Sequence, residues 1–194
     1  MSCAIAASFE IGARTSNTLR LLGWQQLLDS PQMPSETKAL EKPEVISFER
    51  AGRLESVVSD WRPFVIERNL ATRTYVFVFG FEADCGTEPI VSADGERSAI
   101  RNKLIGYLEA LQQDVPRRHF GATTFLIPFI TTTEARMRSM MAALEGLRPG
   151  PLGKRFLFKN VPAFTSFEKP APADGHMLLE PWARTGFGPF SFVD

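Results

Sequence analysis

The chain has 194 residues, enough for one domain with a substantial core or one domain plus an appendage. Hydrophobic residues make up 44% and charged residues 23%, as in ordinary soluble globular proteins, and 22 Lys and Arg balance 22 Asp and Glu. Net charge therefore gives no pointer to nucleic acid, and a basic surface would need local clustering. The two cysteines, Cys3 and Cys85, have neither metal nor redox spacing, so a reducing, cytoplasmic setting is expected. The first residues lack a basic segment, and Glu10 and Arg14 interrupt the apolar run, which is not the pattern of a signal peptide. No stretch approaches the apolar length of a membrane span.

Taken in order, residues 3–13 are Ala-rich and predict a helix with Ile5, Phe9 and Ile11 as contacts. Residues 18–28, with Leu19, Leu22, Leu27 and Leu28, predict a second short helix capped by Ser16 or Asn17. Three prolines make residues 29–43 a loop, and residues 45–48 and 54–58 suit short strands. Residues 61–67 and 74–81 predict a hairpin turning through 69–73. Residues 95–113 hold the clearest helix, with Ile100, Leu104, Tyr107, Leu108 and Leu111 on one stripe. Residues 123–130 predict a buried strand, which Pro128 would put near an edge or a bulge. A helix opens at Thr133 and Glu134 and runs to Leu147, with Met137, Met140, Met141 and Leu144 inside, and a further short strand covers 155–158. Beyond Pro162 no period survives, so residues 162–194 form an irregular extension over a domain of residues 1–161 whose core is about 44–147. The element order implies an α/β fold with a mixed central sheet flanked by helices. A crossover through helix 95–113 joins strand 74–81 to strand 123–130.

The stretch with most chemical content is 74–88. An aromatic and β-branched run from Tyr75 to Phe81 ends abruptly in Glu82, Asp84 and Glu88. In a strand, Glu82 and Asp84 project from one face, and carboxylates so placed repel unless a cation offsets them. Ligands of such sheets tend to lie at the strands' carboxyl ends, where these acids fall. The antiparallel hairpin brings Asp60, just before its first strand, to the same edge. Three oxygen ligands without histidine suit Mg²⁺ or Mn²⁺, and such a metal can activate water for phosphodiester hydrolysis. Solvated strand-end acids pairing with Arg62 or Arg73 would give the same pattern.

Ser59-Asp60, a strand, Phe81-Glu82-Ala83-Asp84-Cys85-Gly86-Thr87-Glu88 and helical Lys103-x-x-x-Tyr107 together resemble the replication-relaxation family of plasmids and mobile elements. That family is similar in its core to the PD-(D/E)XK nucleases, and the resemblance covers about residues 55–145. It implies a nuclease-like sandwich acting on DNA, with Mg²⁺ or Mn²⁺ as cofactor. Asp60 matches the Asp of the PD element, with Ser59 where Pro is usual, and Glu82 matches the (D/E) position. Asp84 occupies the place of the superfamily's Lys. Lys103 and Tyr107 fall where a helical Gln-x-x-x-Tyr is common, so Lys103 is the expected substitute cation. Glu10 stands for the acid that often precedes the sheet. The winged-helix DNA-binding domain with which family members often begin has no room before residue 55.

Arg97, Arg101, Lys103, Arg117 and Arg118 flank one helix and are candidate phosphate contacts, or else a solvated helix face. Cys85 reads as an incidental thiol, and His119 and His176 as isolated histidines outside any triad. The aromatic tail from Trp182 to Phe192 suits either a protein-docking segment or a lid on the sheet. Two functions are expected. One is a DNA-processing enzyme in which Asp60, Glu82 and Asp84 hold metal and Lys103 contacts phosphate. The other is a catalytically silent nuclease fold that binds protein or DNA. An Arg filling the acid cluster would favour the second.

Overall fold

Alternation along the strands sorts apolar side chains to two faces of one sheet, and helices cover both. The structure is a computed structural model describing residues 1–70, 73–86, 88–90, 100–162 and 174–193, with the side chains of 69–70 and 73–79 left aside. Helix α1 (Ser2–Thr15) comes first, then strand β1 (Leu19–Leu22), helix α2 (Trp24–Asp29) and a short helix α3 (Ser35–Lys38). A hairpin of β2 (Ile46–Arg50) and β3 (Arg53–Val57) stands apart from the main sheet. Strands β4 (Phe64–Leu70), β5 (Arg73–Phe79) and β6 (Glu82–Asp84) lead to helices α4 (Ile100–Gln112) and α5 (Val115–Phe120). Strand β7 (Phe125–Thr131), helix α6 (Glu134–Gly146), a 3-10 turn at Gly150–Arg155 and strand β8 (Phe156–Asn160) follow. Helix α7 (His176–Leu179) and strands β9 (Trp182–Arg184) and β10 (Phe187–Phe190) end the chain.

The sheet order is β1-β4-β5-β7-β8-β9-β10, with β6 also beside β7. Strands β4 and β5 are antiparallel, whereas β5, β6 and β8 all run parallel to β7. This is the expected mixed sheet, with the hairpin and the crossover through α4 in place. On one face Val65, Phe125, Ile127, Phe129, Phe156 and Phe158 pack against α4, α6 and the β2–β3 hairpin. On the other, Phe64, Ile66, Phe81, Leu126 and Ile130 pack against Ile5 and Phe9 of α1, Met177 and Leu178 of α7, and Trp182. Strand β7 lies between these layers and is buried at every position.

Three expectations are corrected. Residues 18–28 are not one helix: Leu19–Leu22 pairs antiparallel with β4, and the helix begins only at Trp24. The Leu spacing suits a helix locally, but a sheet edge was available nearby. Pro128 is not at an edge, since β7 is central; it falls where the neighbouring strand changes from β5, paired at 125–126, to β6, paired at 129–131. The missing N–H thus sits in a break in the ladder. The described part of the tail, residues 174–193, is not irregular, because β9 and β10 extend the sheet past β8, while residues 163–173 lie outside the described residues. Its anchor is Lys159, which is buried, lies 5.1 Å from the Trp182 ring centre and donates to the carbonyl of His176 at 2.7 Å. Trp182 and Phe192 are fully buried, so the tail covers the sheet as a lid, leaving Phe187 partly exposed. Residues 95–99 of the expected helix lie outside the described residues. Among the described residues no helix is long and apolar enough to cross a membrane.

Candidate functional site

The site forms where β6 and β7 end side by side, at the carboxyl ends of parallel strands. Glu82 and Asp84 alternate with Ala83 and share a face, and each meets a different helix. Lys103 and Tyr107, one turn apart on α4, serve Glu82; Arg136, in the first turn of α6, serves Asp84.

Glu82 is 1% exposed. Its Oε1 accepts from the Tyr107 hydroxyl at 2.5 Å, and its Oε2 lies 2.9 Å from the Lys103 ammonium as an ion pair. The same ammonium is 3.4 Å from Glu88 Oε2 and 3.8 Å from Asp60 Oδ1. Asp60 is held in turn by the chain it faces: its Oδ2 accepts from Ala83 N at 2.8 Å, and its N–H donates to the Phe81 carbonyl at 3.0 Å. Next to it, Ser59 packs against Gly80, where a Cβ would come within 2.7 Å of the Ser59 hydroxyl, so this approach requires glycine.

Asp84 is closed off separately. Arg136 grips both of its oxygens, and the Thr131 hydroxyl and Gly86 N–H donate to them at 2.9 and 3.1 Å. Arg136 also donates to the Glu88 carbonyl, and the Thr133 hydroxyl caps its helix by accepting from Arg136 N–H at 3.2 Å. Glu88 therefore links the two halves, with its carboxylate toward Lys103 and its carbonyl toward Arg136.

The electrostatics follow from burial and pairing. Burial pushes Glu82 up from 4.5 to about 7, and the Asp60 charge adds to this against the pull of Lys103 and Tyr107. Burial alone would depress Lys103, but the charges of Glu82, Asp60 and Glu88 outweigh it and raise its pKa. The two directions are compatible, because one ammonium answers three carboxylates while Glu82 has that ammonium to share. Tyr107 is raised well above its ordinary value by burial and by Glu82, so it stays a hydroxyl donor. Asp84 is also penalised by burial, yet its bonds from Arg136, Thr131 and Gly86 prevail and lower it.

Asp60, Glu82 and Lys103 thus converge, while Asp84 is occupied by Arg136. The donor set does not fit a divalent metal. The point shared by Asp60, Glu82 and Glu88 is taken by an ammonium, and among the described residues no group of three or more Asp, Glu, His or Cys side chains is arranged to hold an ion.

Of the basic residues, Arg101 is exposed at the acid-cluster end of α4. Arg117 and Arg118 are exposed beyond its far end, about 20 Å away along a 13-residue helix. Arg97 lies outside the described residues. Cys85 is exposed, with its thiol 3.6 Å from Met1 Sδ. Glu10 is an exposed partner of Arg14. His119 contacts the Pro43 carbonyl at 2.7 Å, and His176 pairs with Asp174 beside Ser8. Arg136 and Thr131 went unnoticed in the sequence, since neither stands at a motif spacing from the acids. Compared with known proteins, the chain matches no family model, no curated protein and no solved structure.

Proposed function

We propose that this chain is a nuclease-like α/β module of the replication-relaxation type whose acid cluster has become structural, and which serves plasmid or mobile-element replication by binding DNA. The observation that carries this reading is the pairing of Asp84 with Arg136 at the position where the superfamily has its lysine. An Asp cannot steady developing negative charge, and this one is already neutralised. The finer fold reading, a PD-(D/E)XK-like sandwich, is supported by the β4–β5 hairpin running into β6 and by the α4 crossover to parallel β7.

Metal-dependent phosphodiester hydrolysis is the second reading. One observation favours it: Asp60, Glu82 and Lys103, the acid, acid and lysine of the resemblance, meet at one point.

Binding and cleavage separate the two. Labelled single- and double-stranded oligonucleotides are expected to bind with an affinity that falls as salt rises. Arg101→Glu and the pair Arg117→Glu with Arg118→Glu should each weaken binding by about tenfold or more, as expected when a phosphate contact is lost or made repulsive. Plasmid DNA incubated with Mg²⁺ or Mn²⁺ should remain uncut. Binding indifferent to salt and to these reversals would defeat the DNA assignment, and nicking that Glu82→Gln abolishes would establish the second reading.

A further inference from the structure

The β2–β3 hairpin has one edge capped by a side chain and one edge open. Ala51 and Gly52, with φ of 50° and 73°, make a two-residue turn between the paired residues Arg50 and Arg53. Arg50 and Arg53 are therefore a hydrogen-bonded pair, and the alternation of an antiparallel ladder turns the backbone groups of Ser47, Glu49, Leu54 and Ser56 outward. On β2 the outward groups of Glu49 are filled: the Gln113 side chain accepts from Glu49 N–H at 3.0 Å and donates to its carbonyl at 2.7 Å, as a neighbouring strand would. On β3, among the described residues, nothing pairs with the outward groups of Leu54 and Ser56. Arg53, Leu54, Glu55 and Ser56 are all exposed, and Leu54 is 81% exposed.

An open edge is a template for another strand. Charged residues often guard such edges, but here their order is self-complementary. We propose that β3 pairs antiparallel with β3 of a second copy of this chain, with the two-fold axis at Leu54. Leu54 then faces its own counterpart as a hydrogen-bonded pair, using the N–H and C=O that point outward. Arg53 of each copy lies directly opposite Glu55 of the other, in a closely spaced pair on the same face. The arrangement is isologous, so each favourable contact occurs twice and the assembly closes at two chains. A strand contact this short gives a concentration-dependent dimer, since obligate dimers bury far larger areas.

Charge reversal tests the register. The wild-type chain, followed by light scattering after size exclusion over a concentration series, should move from 21.6 kDa toward twice that mass. Arg53→Glu alone sets acid against acid, Glu55→Arg alone sets base against base, and each should remain monomeric. An equimolar mixture of the two variants restores opposite charges at both pairs and should recover the dimer. Circular dichroism melts of both variants should stay close to the wild type, because the altered side chains are exposed and the Arg50–Glu55 ion pair that Glu55→Arg removes is a surface one at 3.5 Å. A wild-type chain that stays monomeric throughout would overturn the proposal, as would a dimer indifferent to either reversal or a mixture that fails to re-form it.

Discussion

Lys103→Met is expected to lower the unfolding free energy by about 2 kcal/mol near pH 8, because Glu82, deprived of its cation, keeps its proton in the folded state and forfeits its ionisation. The substitution keeps most of the aliphatic stem, so packing changes little. What goes is the ammonium at 2.9 Å from a carboxylate that is 1% exposed. Glu82 would then have to ionise without its cation or hold a proton against a solvent that favours removing it. Near pH 5 Glu82 is already protonated in the native protein, and the remaining loss comes from the more exposed partners Asp60 and Glu88. Pairs of that kind contribute about 0.2–1 kcal/mol each, so the deficit should shrink to about 1 kcal/mol. Urea unfolding of both proteins at the two pH values measures this. A deficit of equal size at both would mean that Lys103 acts through packing alone.

Glu82→Gln should have its largest effect on the pH dependence of stability. The folded pKa of about 7 lies above the ordinary 4.5, so the folded state holds the proton more tightly than the unfolded chain does. The stability due to this group is complete below about pH 4.5 and is lost as pH rises through about 7. The gap corresponds to about 3 kcal/mol. Gln keeps an oxygen for the Tyr107 hydroxyl and cannot titrate, while Asp60 and Glu88 still answer Lys103. The variant and the wild type should therefore be close near pH 5, and the variant should be the more stable by about 3 kcal/mol near pH 8. Parallel pH profiles for the two proteins would show that Glu82 does not titrate in this window.

Where the signal was local, it could be read from residues. The stripe from Ile100 to Leu108 marked α4 because one face of that helix is buried, and the same period put Lys103 and Tyr107 one turn apart on the side facing the acids. The hairpin geometry brought Asp60 to Ala83 and Phe81, since antiparallel strands place the start of one beside the end of the other. Where pairing decided the outcome, the residues gave no sign. Leu19–Leu22 is a strand because β4 offers it an edge, and β9 and β10 are too short and too broken by Pro and Gly to show a period. Arg136 was hidden for a related reason. It lies 52 residues from Asp84, in the first turn of a helix whose sequence explains it equally well as a solvated position. Only the alignment of β6 with β7 brings that turn over the acid.

Lys103 and Arg136 already supply the cations this cluster needs. Thermal melts of the wild type and Glu82→Gln, with and without Mg²⁺ in the millimolar range, test this most directly. A site with metal at about a hundred times its dissociation constant would gain about 2.7 kcal/mol, worth about 5–10 °C in a chain of this size. The melting temperature should be the same with and without Mg²⁺ in both proteins. A rise of several degrees in the wild type that Glu82→Gln abolishes would contradict it.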